Sequence, residues 1–445
     1  MSVRVRFAPS PTGRIHIGNA RTALLNWLFA KSQGGRFLLR FDDTDKARST
    51  PAFAKTIRDD LAWLGIVPDE IARQSDRLDR YRREAARLKE AGRLYACYET
   101  KDELERKREQ LRARGLPPIY DRAGLALTAQ DHAQLERRGL RPHWRFLLDR
   151  RRASWNDLIR GCQHVDAACL SDPVLIRADG TVLYSLSSVI DDIDFSIGTV
   201  IRGEDHVTNT AIQLQLFKVL AAATPSFAHH SLMVDGDGRG LSKRSGTLPL
   251  SHYRERGFEP MAVASLAATL GTSQATGVHD SMNELMASFD ITRVSRAPVR
   301  FDEKELEAFN ARLLQRLPYE SVAERLTAMG VGGGALFWDA MRANCRKLKD
   351  APGWWAIVTG PIGPAIDEPE YCACAAEELP AEPWNGATWK DWTGRIRART
   401  GRKGKALFMP LRRALTGLDH GPELAVLLPL IGRDKAMRRL RGKTA

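Results

Sequence analysis

The chain has 445 residues, 43% of them hydrophobic and 27% charged, which is enough for about three domains and excludes a disordered or fibrous protein. Its 68 Lys and Arg against 54 Asp and Glu leave a net charge of +14, and the segment from Asp391 to Ala445 alone holds 14 basic against 4 acidic residues. Charge so localised suits an extended anionic partner such as a nucleic acid better than a small acidic metabolite, whose site needs only two or three cations. No run approaches the roughly 18 apolar residues of a membrane span, and the N-terminus offers no apolar leader, so a cytoplasmic protein without membrane contact is expected. Six irregularly spaced cysteines imply no disulfide framework, and Cys372-Ala-Cys374 lacks the further ligands of a metal site.

In chain order, Val3 to Phe7 alternate as a strand, and Ala8-Pro-Ser-Pro-Thr-Gly13 breaks it with two prolines and a glycine. Ala20, Leu24, Trp27 and Leu28 recur at helical spacing until Gly34-Gly35, and Arg36 to Phe41 reads as a second strand, completing a βαβ unit. Thr50 and Pro51 then open a helix with a Phe53, Ile57, Leu61 and Leu64 stripe, closed by Gly65. From about residue 101 to 164 an arginine-dense texture, including Arg141, Arg145 and Arg150 to Arg152, reads as an insertion. Strands are expected to resume at Val174 to Ile176, Thr181 to Tyr184 and Ile197 to Ile201. Beyond about Arg300 helical periodicity dominates, and six of the ten tryptophans lie between Trp338 and Trp392, most of them expected in a core.

The expected fold is therefore α/β. A Rossmann-type nucleotide-binding domain (1–100 and 165–235) is split by the inserted subdomain (101–164), followed by a loop and connecting region (236–300) and a mostly α-helical domain (301–445).

Two loops carry chemistry. Pro9-Ser-Pro-Thr-Gly-Arg-Ile-His16-Ile-Gly18-Asn19 lies between the first strand and its helix, where free N–H groups and the helix dipole attract an anion. His16 can donate to a phosphate oxygen, and Gly18 permits close backbone approach. Gly236-Asp-Gly-Arg-Gly-Leu-Ser242-Lys243-Arg244 sets two adjacent cations between glycines, suited to charge that develops on a triphosphate during reaction. Asp191, Asp192 and Asp194 could suggest a metal cluster, but a structural strand end is the preferred reading. His206 reads as packed or hydrogen-bonded.

Arg6-Phe-Ala-Pro-Ser-Pro-Thr-Gly-Arg-Ile-His-Ile-Gly-Asn-Ala-Arg resembles the HIGH region of glutamyl-tRNA synthetases, and Leu241-Ser-Lys-Arg244 their KMSKS region. The likeness continues through Arg40-Phe-Asp-Asp, Asp179 to Tyr184, Asp191-Asp192, Ile201 to His206, Phe301 to Leu306 and Leu407 to Gly417, so it spans the chain.

The resemblance implies a class I aminoacyl-tRNA synthetase, a ligase that joins glutamate to tRNA in protein biosynthesis, with ATP and Mg2+. Catalysis would fall to His16 and Lys243, and ATP binding to Gly18, Asn19, Ser242, Lys243, Arg244 and Glu204. Glutamate binding would fall to Arg6, Ala8, Ser10, Asp42, Tyr184, Ser188 and Arg202, with Asp42 toward the α-ammonium and the arginines toward the two carboxylates. Partners would be L-glutamate and tRNA(Glu), with tRNA(Gln) as a further acceptor to test, and monomer is the family expectation.

Three departures stand out. Gly240, beside Arg239, replaces the first KMSKS lysine. Asp42 stands where many relatives carry glutamate. Where zinc-bearing relatives place two cysteine- or histidine-containing pairs, Cys97-Tyr-Glu99 and Tyr120-Asp-Arg-Ala supply at most one thiol, so no structural zinc is expected. The competing readings are a glutamyl transferase acting on a tRNA base, which lacks a helical domain, a small-molecule adenylyltransferase that binds no RNA, and a non-catalytic tRNA-binding paralogue.

Overall fold

The computed structural model describes residues 3–241, 248–273 and 277–445. Its backbone contacts divide the chain into two compact units, residues 1–253 with 264–302, and residues 254–263 with 303–445.

The first unit opens with β1 (Arg4–Phe7), α1 (Ile17–Ser32) and β2 (Arg36–Phe41), as the alternation and helical spacing require. The return from α1 to β2 is tight: Arg36 N–H donates to the Val3 carbonyl at 2.8 Å, and a Cβ on Gly35 would lie 2.3 Å from that same oxygen. Only glycine fits there. Next come α2 (Pro51–Trp63), capped by the Thr50 hydroxyl, and β3 (Glu70–Arg73). β1, β2 and β3 pair in parallel in the order β1-β2-β3.

α3 (Leu78–Glu90) leads into β4 (Leu94–Cys97), α4 (Lys101–Ala113), α5 (Ala129–Arg137) and β5 (His143–Phe146). β6 (Arg152–Asp157) and β7 (Gly161–Asp166) form an antiparallel hairpin, and β8 (Val174–Ile176) follows. Two sequence expectations change here. β8 pairs with β5, which pairs in turn with β4, in the small antiparallel sheet of the insert, whereas β6 and β7, expected inside the insert, join the nucleotide-binding sheet with β6 beside β10.

The segment expected as a strand from Thr181 to Tyr184 keeps only an isolated bridge between Val182 and Ile176. Tyr184 opens a helix, α6 (Tyr184–Asp194), because Leu186, Val189 and Ile190 bury one helical face. Asp191, Asp192 and Asp194 consequently lie on that helix and not at a strand end.

β9 (Thr199–Gly203), α7 (Val207–Val219) and β10 (Ser226–His230) follow, with β9 and β10 in parallel register from Thr199↔Ser226 to Gly203↔His230 and joined to the hairpin in the order β7-β6-β10-β9. Gly198 N–H donates to the Arg4 carbonyl at 2.9 Å, which seats β9 beside β1. The parallel strands then run β3-β2-β1-β9-β10, and the order reverses between β1 and β9. In a doubly wound sheet that reversal opens a crevice at the carboxyl ends of the two strands.

The second unit is helical through its core. Trp338 and Trp392 are fully buried, and their indole N–H groups donate to the carbonyls of Leu317 (2.8 Å) and Ala375 (2.9 Å), so neither leaves a polar atom unsatisfied. Trp354, Trp355, Trp384 and Trp389 pack partly buried around the same core. Among the described residues no helix is long and apolar enough to cross a membrane.

Candidate active site at the strand-order reversal

At the crevice between β1 and β9 lies a cavity of about 790 Å3. β1 and the loop after it supply Arg6, Ala8 and Ser10, the start of α1 supplies His16, Gly18 and Asn19, and α6 and β9 supply Tyr184 and Arg202. Three further expected residues are elsewhere: Asp42, Ser188 and Glu204 do not line the cavity. Ser242, Lys243 and Arg244 lie outside the described residues. The loop that carries them is tied to the cavity at both ends. Leu241, in the wall, donates its N–H to the Met233 carbonyl at 3.0 Å, and Leu250 N–H donates to the Ile15 carbonyl at 2.8 Å.

His16 is the N-cap of α1. Its Nδ1 accepts from Gly18 N–H at 3.1 Å, while the Asn19 side-chain oxygen accepts from His16 N–H at 3.2 Å. With Nδ1 used as an acceptor, the proton of the neutral ring sits on Nε2. Gly18 packs tightly against the cap: a Cβ there would meet His16 Cε1 at 3.0 Å and Nδ1 at 3.1 Å.

The two arginines differ in how their charge is met. Arg6 donates through Nε and Nη2 to both oxygens of Asp192, at 3.1 and 3.3 Å. Arg202 is buried yet faces neutral groups: Tyr184 Oη at 3.0 Å, Thr210 Oγ1 at 2.6 Å, Gln213 Oε1 at 2.7 Å and His229 Nε2 at 3.2 Å. Burial lowers its affinity for its proton, so an anion brought into the cavity would be stabilised most beside it.

Arg40 organises the layer behind the cavity. It is fully buried and donates to Asp42 Oδ1 at 2.8 Å, Asp192 Oδ1 at 2.8 Å and Ser188 Oγ at 3.0 Å. Asp42 and Ser188 are thus engaged by Arg40. Burial works against the Arg40 charge, but Asp42, Asp192 and Asp191 more than offset it and hold the guanidinium well above its usual range. Burial pushes Asp42 up to about 6 against the pull of Arg40; with two guanidinium N–H groups on its carboxylate, we take the pair as ionised near neutral pH. Asp191 accepts from Gln74 (2.9 Å), Arg77 (2.7 Å) and Tyr81 (2.9 Å) and so acts as a hub joining α6 to α3 and the segment before it. Glu204 pairs with Arg160 at 2.7 Å and accepts from Leu232 N–H at 3.2 Å.

Sequence reasoning missed Thr22, Asp205 and His230 in the wall and gave His206 only a packing role. His206 sits against the Tyr184 ring, with centroids 5.5 Å apart, and burial together with Arg202 pushes it down to about 4. The available signal for His229 and His230 was their place at the end of a strand, where ligands of parallel sheets gather.

In the insert, Cys97, Glu99 and His143 bring their ligand atoms within 4.8 Å of one another. His143 escaped the sequence reading because strand pairing, not spacing, sets it opposite Cys97. Glu99 Oε2 and His143 Nε2 are buried without a hydrogen-bond partner among the described residues. Burial pushes the Cys97 thiol up to about 11, and Glu99 already accepts from Tyr120 Oη at 2.7 Å, whereas structural zinc takes four ligands with thiolates ionised.

Residues 2–308 match the family of class I tRNA synthetases (E and Q), catalytic domain. The chain belongs to that family. Residues 369–443 of this synthetase match the anticodon binding domain family. Over the full length it is similar to a protein of Methylorubrum populi named glutamate--tRNA ligase 2, at 58% identity with 99% of each chain covered. One of Azospirillum brasilense named glutamate--tRNA ligase is 53% identical, with 100% of each covered. A crystal structure of a glutamate tRNA ligase from Elizabethkingia meningosepticum in complex with its amino acid superimposes with a TM-score of 0.87, at 29% identity, covering 99% of this chain and 98% of that one.

Proposed function

We propose that this synthetase is a cytoplasmic, monomeric glutamate–tRNA ligase. A glutamate carboxylate oxygen attacks the α-phosphorus of ATP, the bond to the β-phosphate breaks and pyrophosphate leaves. The terminal ribose hydroxyl of tRNA(Glu) then attacks the adenylate carbonyl and releases AMP.

One observation carries the reading: a single cavity joins an anion-attracting helix start, capped by His16, to two buried arginines, one of which, Arg202, makes its hydrogen bonds to neutral groups among the described residues. The helix start suits phosphates. The arginines and Tyr184 suit a dicarboxylate, and an amide in place of one carboxylate would leave buried guanidinium charge unmatched, a loss of several kcal/mol in order of magnitude. His16, through Nε2–H, and Gly18 and Asn19 are assigned to the nucleotide. Lys243 is assigned to the charge developing between the α- and β-phosphates, with Ser242 and Arg244 beside it, a role supported by the tethering of both loop ends at the cavity. Arg6, Ala8, Ser10, Tyr184 and Arg202 are assigned to glutamate.

Mg2+ would enter with the nucleotide. Among the described residues Asp205 is the one carboxylate lining the cavity, which fits an ion held mainly by phosphate oxygens and water.

The test is aminoacylation by purified protein with labelled glutamate and, separately, tRNA(Glu) and tRNA(Gln). Charging of tRNA(Glu) alone is expected. Charging of both would add tRNA(Gln) as a partner, and charging of neither would overturn the reading.

A further inference from the structure

Behind Arg202 the wall of the cavity contains a chain of buried polar groups that no motif marks. Arg202 on β9 and His229 on β10 are paired directly in the parallel register. Arg202 Nε lies 3.2 Å from His229 Nε2, and on the far side of the ring His229 Nδ1 lies 2.5 Å from Asp157 Oδ2. His229 is fully buried and Asp157 almost so.

The direction of each hydrogen bond follows from the donors present. Asp157 also accepts from the backbone N–H groups of Ile159 (3.0 Å), Arg160 (2.9 Å) and His229 (3.1 Å). A carboxyl that accepts three backbone N–H groups is held as the carboxylate. His229 must then carry its proton on Nδ1, which leaves the Nε2 lone pair facing Arg202, with the Thr210 hydroxyl at 2.9 Å from the same nitrogen. The opposite tautomer would aim an N–H at an N–H. The ring is also fixed by its neighbours, stacked on Phe227 with centroids 6.1 Å apart and edge-on to Trp155 at 6.3 Å.

We propose that Asp157 and His229 are positioning residues for Arg202: Asp157 fixes the tautomer of a neutral His229, whose Nε2 orients the guanidinium toward a glutamate carboxylate. A neutral histidine can do this where a carboxylate could not, because it holds Arg202 without neutralising it. The charge remains available to the substrate, in contrast to Arg6, which Asp192 already meets. The hairpin β6–β7, which supplies Asp157, thereby becomes part of the amino-acid site, although it belongs by sequence to the segment read as an insertion.

The inference rests on glutamate being the substrate, and the experiment separates the two ideas. Full-length wild type, Asp157→Asn, His229→Leu and His229→Gln are compared in aminoacylation of tRNA(Glu), with KM measured for glutamate and for ATP, and thermal melting as the check on folding. Asn at 157 offers an N–H to His229 Nδ1 and flips the tautomer, and Leu at 229 removes the acceptor. Both should raise the glutamate KM about tenfold or more with the ATP KM within about twofold. Gln at 229 can present its amide oxygen to Arg202 unaided and should return the glutamate KM to within about threefold of wild type.

Folded Asp157→Asn and His229→Leu proteins with wild-type glutamate KM would overturn the positioning role. So would all three variants, Gln included, raising both KM values together with a lowered melting temperature, which is the signature of a merely structural contact. A wild-type protein that charges tRNA with no glutamate at all would overturn the functional reading as well.

Discussion

Arg6 and Asp192 form a buried bidentate pair, Nε to Oδ1 at 3.1 Å and Nη2 to Oδ2 at 3.3 Å, and Asp192 is shared with Arg40 at 2.8 Å. Arg6 therefore serves both the cavity and the packed layer behind it, whereas Arg202 serves the cavity from a cradle of neutral groups. Alanine at either position should lower glutamate charging by two orders of magnitude or more, but the stability costs should differ. Arg6→Ala breaks a buried ion pair and should cost about 3 kcal/mol; Arg202→Ala strands only neutral acceptors and should cost less. Denaturant unfolding beside glutamate kinetics checks this, and equal stability loss in both variants would contradict the asymmetry.

Gly18→Ala isolates the nucleotide side. The added Cβ would sit 3.0 Å from His16 Cε1, so the imidazole is pushed by a few tenths of an ångström from its place over the N–H it caps. Gly18 lies in helical backbone where alanine is otherwise favoured. The melting temperature should hold while adenylate formation falls about tenfold or more, measured as ATP–pyrophosphate exchange with tRNA present. Wild-type exchange would remove His16 from the chemistry.

His230 gives a pH signature. Its Nδ1 donates to the Ser231 carbonyl and its Nε2 accepts from the Thr22 hydroxyl, both at 3.0 Å, and burial, with the nearby Arg21 charge, pushes it down to about 3. The unfolded chain binds this proton near pH 6.5 and the folded one does not. The group's contribution is therefore fully present above about 6.5 and is lost as pH falls toward 3, by about 1.4 kcal/mol per pH unit. In urea unfolding between pH 6 and 4, His230→Gln should lose stability less steeply than wild type by about that slope. Parallel curves would show that folded His230 does take up the proton.

Legibility in the sequence follows the range of the physics. β1, α1, β2 and α2 could be read because alternation, the 3.6-residue stripe, Gly34-Gly35 and the Thr50-Pro51 start are local signals. Tyr184 was misread because three strand-like residues precede a helix whose buried face shows only from Leu186 onward. Arg6, His16, Tyr184 and Arg202 were recognisable as motif residues, but their meeting at one cavity depends on the β1–β9 adjacency, which no local pattern encodes. Arg40 was quoted within a motif without a role, so its buried hold on Asp42 and Ser188 was not legible in the sequence. His229 offered only its place at a strand end, and Asp157 had no signal short of the strand register.

The cluster of Cys97, Glu99, His143 and Tyr120 makes a prediction about metal. Its thiol is buried and held protonated, and one Glu99 oxygen accepts from the Tyr120 hydroxyl, while Glu99 Oε2 and His143 Nε2 are buried without a hydrogen-bond partner among the described residues. Three donors with a protonated thiol fall short of the four ligands of a structural zinc site, and no zinc is expected to hold this fold together. Dialysis against a strong chelator followed by excess magnesium should leave the melting temperature and charging activity unchanged, and Cys97→Ser should do the same. Stoichiometric zinc by elemental analysis, or a chelator-dependent melt, would show that three donors suffice here.

In the helical unit, Trp389 and Phe408 stack with centroids 6.1 Å apart and border a cavity of about 480 Å3 that Lys405 and Arg412 also line. Phe408 is 42% exposed, and Arg412 Nη1 is buried without a hydrogen-bond partner. An exposed ring beside cationic side chains is the arrangement that stacks a nucleobase while holding its phosphate, at about 1–3 kcal/mol per base. Trp389→Ala and Phe408→Ala should raise the KM for tRNA by about tenfold each and leave the KM values for glutamate and ATP unchanged, because the amino-acid cavity is built wholly from the other unit. If the tRNA KM stays at the wild-type value in both, the rings serve only the core and the basic C-terminal surface grips the RNA through its backbone alone, in which case tRNA binding should steepen with falling salt and ignore both substitutions.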